Sequence, residues 1–292
     1  MSKTKKAVII GSVLVGIGVI IGFIGIAIGG FKFPNGAVDL TTMKALHAEK
    51  KTVQIADAFD KIEIAGASSM DIEICKSKTG KNYVEYYDTD DWTSHVDVKD
   101  HVLKFTTDDK GKHKAIVSLG FGKDTAARLY LADAEYKEIA VTTLSGYVTI
   151  QDVNAGTVNV SASSGDLYMK NINAPDSIMA TSSSGDIDLE NATAKQIELG
   201  ANSGDIEMQD ITAESLRMST SSGDIDLENG DAEGFDITTS SGDVDMEITA
   251  GRTYRFDTKT NSGAVDVPDG DADSEYLCKI VTSSGDVDVK QK

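Results

Sequence analysis

The 292-residue chain is poor in the side chains that most site chemistry uses. It has two cysteines, four histidines, one tryptophan and three prolines. Cys75 and Cys278 show neither metal-ligand spacing nor a disulfide framework. His47, His95, His101 and His113 all precede residue 139, so the later half has no imidazole to ligate a metal or move a proton. Three prolines exclude a Pro-rich stalk. Basic residues are also scarce there: residues 140–292 hold 9 Lys plus Arg against 28 Asp plus Glu. Residues 1–139 hold 19 of each, so the formal net charge of -19 falls wholly in the later half. Phosphate contacts need Lys and Arg, which excludes nucleic acid as a partner. An acidic surface suits solvation, cations or a basic partner.

One long uncharged run is present. Lys3, Lys5 and Lys6 precede Ala7 to Phe31, which carries no charge. As a helix those residues span ~37 Å, enough for the ~30 Å hydrocarbon core. Residues 7–31 therefore read as an uncleaved transmembrane signal anchor. A cleaved signal peptide is the alternative, with Ala27-Ile28-Gly29 as its cleavage site. No cysteine lies near the end of the run, so a lipoprotein anchor is unsupported. The lysines place residues 1–6 in the cytoplasm and the rest of the chain outside. Gly18 with Gly22, and Gly25 with Gly29, offer a helix-packing face, although glycine is common in membrane helices.

Eight copies of one phrase fill the later half, of which 222-SGDIDLEN-229 is typical. Their glycines are Gly146, Gly165, Gly185, Gly204, Gly223, Gly242, Gly263 and Gly285, at spacings of 19 to 22. A period near 20 signals stacked repeats. Apolar residues stand seven before each glycine and, Thr258 excepted, five before it, as in Leu216 and Met218, and two and four after it, as in Ile225 and Leu227. Period 2 means strands with one buried face. A unit therefore reads as strand, tight Ser-Gly turn, strand, then a looser polar turn near 191–196 or 229–234 that absorbs the variable spacing. The fold expected is all-β: a parallel β-solenoid, β-helix-like, preceded by the transmembrane helix. Eight rungs at ~4.8 Å give a rod of ~38 Å. The turn glycines are expected to need positive φ. Cys278 falls on an inward position and reads as a buried apolar residue. Cys75 follows a short strand, too remote for a disulfide to it.

Two acidic columns flank the buried pair after each glycine. The first is Asp166, Asp186, Asp205, Asp224, Asp243 and Asp286, interrupted by Tyr147 and Ala264. The second is Asp188, Glu207, Asp226, Asp245, Asp266 and Asp288. Three readings compete. Outward acids can solvate the strands while the Asp after Gly accepts turn N–H bonds. Stacked carboxylates can hold calcium, with Asp186, Asp188, Asp205, Asp224, Asp226, Asp243 and Asp245 as the candidate ligands. Or the acidic face can meet a basic partner. The calcium β-roll nonapeptide and the EF-hand loop are both absent. No other cofactor is implied, and no acid/base couple stands apart from the ladder, so no catalytic residue is assigned.

Before the repeats, 59-FDKIEIAGASSMDIEI-74 has the cadence of a rung, with Met70 in place of glycine. Short alternating strands follow at 83–87, 95–98, 102–105 and 128–131, and the polar stretch 107-TDDKGKHK-114 reads as a hairpin or turn. The organisation is thus 1–6 cytoplasmic tip, 7–31 anchor, 32–52 stalk, 53–138 N-terminal β cap and 139–292 solenoid. Lys290 and Lys292 are expected to guard the C-terminal open edge.

The series FDKIEI, SSMDIEI, VDVKDHVLKF and ARLYLADAEYKEIAVTTLSGYVTI, followed by serial SGDIDL turns, resembles a bacterial β-strand-repeat family provisionally called adhesins. That family is a domain of unknown function and includes LiaG-like membrane-anchored envelope proteins. The resemblance spans about residues 55–290. Members often have Leu-Pro where this chain has Leu131-Ala132. The resemblance implies a non-catalytic solenoid outside the membrane, adhesin-like or an accessory to envelope-stress signalling, with a protein or glycan ligand at the cell envelope. The alternatives are a carbohydrate-active solenoid enzyme and a calcium-binding surface module.

Overall fold

The computed structural model describes residues 49–66, 70–88, 92–109, 126–249 and 251–292. The anchor at 7–31, the cytoplasmic tip and the helix-packing glycines lie outside the described residues, as do stalk residues 32–48 and the 110–114 part of the polar turn. Among the described residues no helix is long and apolar enough to cross a membrane.

Every described element is a strand. The early strands are β1 (Glu49–Gln54), β2 (Lys61–Ala65), β3 (Ile72–Lys76), β4 (Tyr83–Asp88), β5 (Trp92–Lys99), β6 (Val102–Asp109) and β7 (Ala127–Leu131). β8 (Glu135–Thr143), β9 (Val148–Ala162), β10 (Leu167–Ser182), β11 (Ile187–Ala201), β12 (Ile206–Ser219) and β13 (Ile225–Thr238) form the regular part. β14 (Val244–Ile248), β15 (Arg255–Lys259), β16 (Val265–Asp266), β17 (Leu277–Val281) and β18 (Val287–Gln291) complete it. β9 to β13 stack in parallel register, Leu167 on Val148, Ile187 on Leu167, Ile206 on Ile187 and Ile225 on Ile206. The architecture is the expected parallel β-solenoid, of about eight turns.

Each rung from β9 to β13 has three straight segments where two were expected. Along β9, Val148 and Ile150 face inward, then Val153 and Ala155, then Val158, Val160 and Ala162. The first bend is made by a residue in the left-handed region: Asp152 (φ 57°), Asn171 (54°), Asn191 (49°), Asp210 (56°) and Asn229 (57°). Asn and Asp tolerate that conformation better than other residues with a Cβ. Their side chains also bond along the stack, Asn171 Nδ2 donating to Asp152 Oδ1 at 2.6 Å and Asn191 Nδ2 to Asn171 Oδ1 at 2.7 Å. What reads as a loose turn is thus a short third segment between two corners. The second corner takes up the spacing, since the register of β10 slips between Ala174 and Ser177.

The Ser-Gly corner is the third. A positive φ occurs only at Gly146 (158°) and Gly263 (156°), the two ends of the glycine column. Close approach explains the other six. A Cβ on Gly165, Gly185, Gly204, Gly223, Gly242 or Gly285 would strike the carbonyl oxygen of the glycine one rung down the stack. Hydroxyls hold those same carbonyls in place. Thr220 Oγ1 donates to Gly204 O at 3.0 Å, and Ser182 Oγ to Gly165 O at 3.1 Å.

At both ends the order in space departs from the order in the chain. β2 and β3 lie between β6/β7 on one side and β8/β9 on the other, with Ile62 paired to both Leu103 and Ile139. Met70 accordingly takes the glycine position beneath Gly146. β1, β4 and β5 add antiparallel pairs beside this end, so Glu49 already belongs to sheet. At the other end β17 lies between β13 and β15, and β18 between β14 and β16. The last rung of the chain is therefore the second-to-last of the stack. Lys290 and Lys292 do not guard an outer rung as expected; they pair with Asp288 and Glu247, and the outermost strand is β15. Ala132 donates its N–H to Asn82 Oδ1 at 2.7 Å.

The core is one apolar column continuous through the stack. Tyr254 closes its C-terminal end, fully buried, edge-on to Phe235 and donating its hydroxyl to Ala232 O at 2.7 Å. Cys278 is buried between Phe235 and Phe256, and burial pushes its thiol up to about 12. Both cysteines are free thiols.

Candidate binding face

The two acidic columns do different work. In the first, each carboxylate accepts the backbone N–H of the residue at the same position one rung up. Asp186 N donates to Asp166 Oδ1 at 3.0 Å, Asp205 N to Asp186 Oδ1 at 2.9 Å and Asp224 N to Asp205 Oδ1 at 2.8 Å. Asp243 N donates to Asp224 Oδ1 at 2.8 Å and Asp286 N to Asp243 Oδ1 at 2.7 Å. The column begins at Asp71, which receives Tyr147 N at 2.9 Å, and ends at Ala264, whose N–H goes to Asp286 at 2.7 Å. The Asp after Gly thus satisfies an N–H of the next rung, not of its own turn. Ala264 lies on the last rung of the stack, where no further N–H needs an acceptor.

The second column points off the segment that follows the Ser-Gly corner. In stack order it runs Tyr168, Asp188, Glu207, Asp226, Asp245, Asp288, Asp266. From Asp188 to Asp288, with Glu190, Glu228 and Glu247, these carboxylates line a groove of about 430 Å³. Basic side chains close its ends. Lys170 pairs with Glu190, and Lys290 with Asp288 at 3.1 Å. Among the described residues Glu207, Asp226, Glu228 and Asp245 in the middle have no ion pair. Burial, then the neighbouring Glu207 and Asp186, pushes the Asp188 carboxyl up to about 6. Asp226 and Asp245 are raised by burial first, then by Asp245 and Asp288 respectively. Carboxylates that resist ionisation for these reasons would gain from any cation placed among them.

The seven calcium candidates are therefore divided between two ladders. Asp186, Asp205, Asp224 and Asp243 already spend one oxygen on a backbone N–H, while Asp188, Asp226 and Asp245 face the groove. Among the described residues no three His, Cys, Asp or Glu side chains are grouped as a metal site. The groove holds no nucleophile–base pair either; its members are rungs of the ladder. What sequence reasoning missed is the Asx corner. Its signal was available, an Asp or Asn column at 152, 171, 191, 210 and 229.

Corner glycines, Asx bends and parallel register together define a recognisable repeat, and residues 59–290 match the Toastrack DUF4097 family. The chain belongs to that family. It is a domain of unknown function. The fold also matches solved structures. One is a protein from Bacteroides fragilis provisionally named an adhesin, 17% identical, with a TM-score of 0.51 over 84% of this chain and 97% of that one. Another is a protein from Parabacteroides distasonis provisionally named a lipid-binding protein, 17% identical, with a TM-score of 0.50 over 83% of this chain and 97% of that one. At this identity the likeness concerns the fold alone. No curated protein matches the chain.

Proposed function

We propose that this Toastrack protein is a non-enzymatic binding or scaffolding module, anchored by residues 7–31 and exposed on the outer face of a bacterial cell envelope. The observation that carries the reading is the acidic groove. Its carboxylates repeat along the stack, Glu207, Asp226, Glu228 and Asp245 have no ion pair among the described residues, and Asp188, Asp226 and Asp245 are raised by burial first and then by neighbouring carboxylates, a repulsion that a cation would relieve. A face of this kind suits a basic partner or cations shared across rungs. The provisional adhesin and lipid-binding names of its structural relatives agree with binding. An accessory role in envelope-stress signalling is the same reading with a protein as the partner.

Protease shaving of intact cells, with cross-linking of the full-length protein in its membrane, tests the proposal. The expected result is cleavage of the solenoid without lysis and a cross-linked envelope component lost on Asp226→Asn with Asp245→Asn. Protection of the solenoid until the cells are broken would overturn the location. A double variant that captures the same component undiminished would overturn the face.

A further inference from the structure

One rung breaks both surface columns of the Ser-Gly-Asp corner. Two residues before the glycine, the other rungs have Ser163, Ser183, Asn202, Ser221, Ser240, Asn261 and Ser283; the Gly146 rung has Leu144. One residue after it, where the carboxylate ladder runs, this rung has Tyr147. Both are exposed, Leu144 at 57% and Tyr147 at 61%, and they account for two of the four exposed large hydrophobic side chains among the described residues. The fold does not need this tyrosine. Its presence costs the ladder a bond, because Tyr147 offers no carboxylate to the Asp166 N–H, whereas the residues above receive one from Asp166, Asp186, Asp205 and Asp224. A side chain that weakens the ladder and stands in solvent is explained by what it touches outside.

Tyr147 stands beside a shallow concavity of about 330 Å³, at the lower end of the range for small-ligand sites (roughly 300–1,000 Å³). Ser145, Ser164 and Ser184 line it with hydroxyls, and Asp71 and Asp166 flank the ring along the column. Each of those two carboxylates commits one oxygen to the ladder, and among the described residues the other has no hydrogen-bond partner. The set therefore both donates and accepts hydrogen bonds beside an aromatic face. Sugar hydroxyls also donate and accept, and one face of a hexose ring is a patch of C–H groups suited to stacking on tyrosine. An ammonium group only donates, so it would use the acceptors of the set and not the donor of a serine hydroxyl. A uronic or sulfated sugar would be repelled by Asp71 and Asp166.

We propose that Tyr147, with Ser164, Ser184, Asp71 and Asp166, forms a subsite for a neutral saccharide at this corner. The inference rests on the binding role proposed above and names a ligand class for it. Full-length protein in detergent, wild type and with Tyr147→Asp or Tyr147→Ala, is titrated with cellohexaose, mannohexaose and chitohexaose. A galacturonic acid hexamer and penta-lysine serve as charged controls. The expected result is binding of a neutral hexamer that both variants weaken by about tenfold or more. Tyr147→Asp is expected to melt at or above wild type, because it restores the acceptor for Asp166 N–H. A purely structural tyrosine would not separate those readouts. Binding of no neutral hexamer, binding unchanged in both variants, or Tyr147-dependent binding of penta-lysine overturns the subsite. Capture of the wild type on isolated envelopes, measured in parallel, separates the two ideas. Capture that survives alongside a failed subsite leaves the wider role standing, and absent capture removes that role.

Discussion

A glycine can be required for space or for φ, and this corner separates the two. Gly204 has no positive φ, yet a Cβ there would run into the carbonyl of Gly185. Backbone cannot yield as a flexible side chain can, so Gly204→Ala should cost about 2–3 kcal/mol or more. Gly234 is the internal control. Its nearest neighbour to an added Cβ is Leu277 O at 3.8 Å, an ordinary contact. Gly234→Ala should be neutral or stabilising by about 0.4–1 kcal/mol through the unfolded chain. Urea titration of both variants checks this, and equal losses would refute the close-approach account. Asp188 carries a prediction of opposite sign. Its folded-state value of about 6 lies above the ~4 of an unfolded aspartate. The folded state therefore holds this proton more tightly. Ionised Asp188 costs stability above about pH 6, costs less as pH falls, and costs nothing below about pH 4. Asp188→Asn should raise the melting temperature at about pH 7.5, with the gain fading to nothing near pH 3.5. A gain independent of pH would remove the charge as its cause. The sequence made the glycine column legible as a corner and not the reason for it. A clash with the rung below is a three-dimensional fact that spacing along one chain does not contain.

A rung is a strand bent at fixed places, and its bends are written in residue type. The apolar period of 2 was enough to place Ile225, Leu227, Phe235 and Ile237 inside. It was not enough to find Gly230 and Ala232 on the middle segment, because a glycine and an alanine give a weak inward signal. The Asx column marks where the strand turns. Asn191 holds φ 49° and donates to Asn171 at 2.7 Å. Replacing it with alanine keeps the strained conformation and loses the bond, at about 1–2 kcal/mol. Asn191→Gly relieves the conformation and loses only the bond, so it should be the milder variant. If alanine proves no worse than glycine in thermal melts, the left-handed corner is not what selects asparagine. The same logic explains the acid columns. Asp recurs after Gly because the next rung has an N–H to satisfy, and Ala264 is tolerated where no further rung follows.

The stack as a whole is closed by a chain that overshoots and returns. No periodicity reveals this, because the repeat at Gly285 reads like its neighbours and only the pairing shows it seated between the Gly242 and Gly263 rungs. Three independent contacts fix that order: Thr260 Oγ1 donates to Gly285 O at 3.1 Å, Thr282 Oγ1 to Gly242 O at 3.4 Å, and Ala264 N to Asp286 Oδ1 at 2.7 Å. In a solenoid each rung is held by its neighbours, so stability is a sum over adjacent interfaces. Among the described residues β15 pairs only with β17, and β16 only with β18. Ending the chain after Ser274 would therefore delete one rung and orphan a second. Residues 254–267 would lose every strand partner while remaining in the polypeptide. Were the rungs stacked in chain order, the same truncation would leave residues 254–267 paired to the rung before them. Hydrogen exchange separates the two cases. In the truncated protein the amides of 255–259 should exchange as an unfolded segment, while 206–219 keep their protection. Protection retained at 255–259 would mean that the outer rung can dock directly on β13, and that the C-terminal rung is not the wedge that holds the end of the stack together.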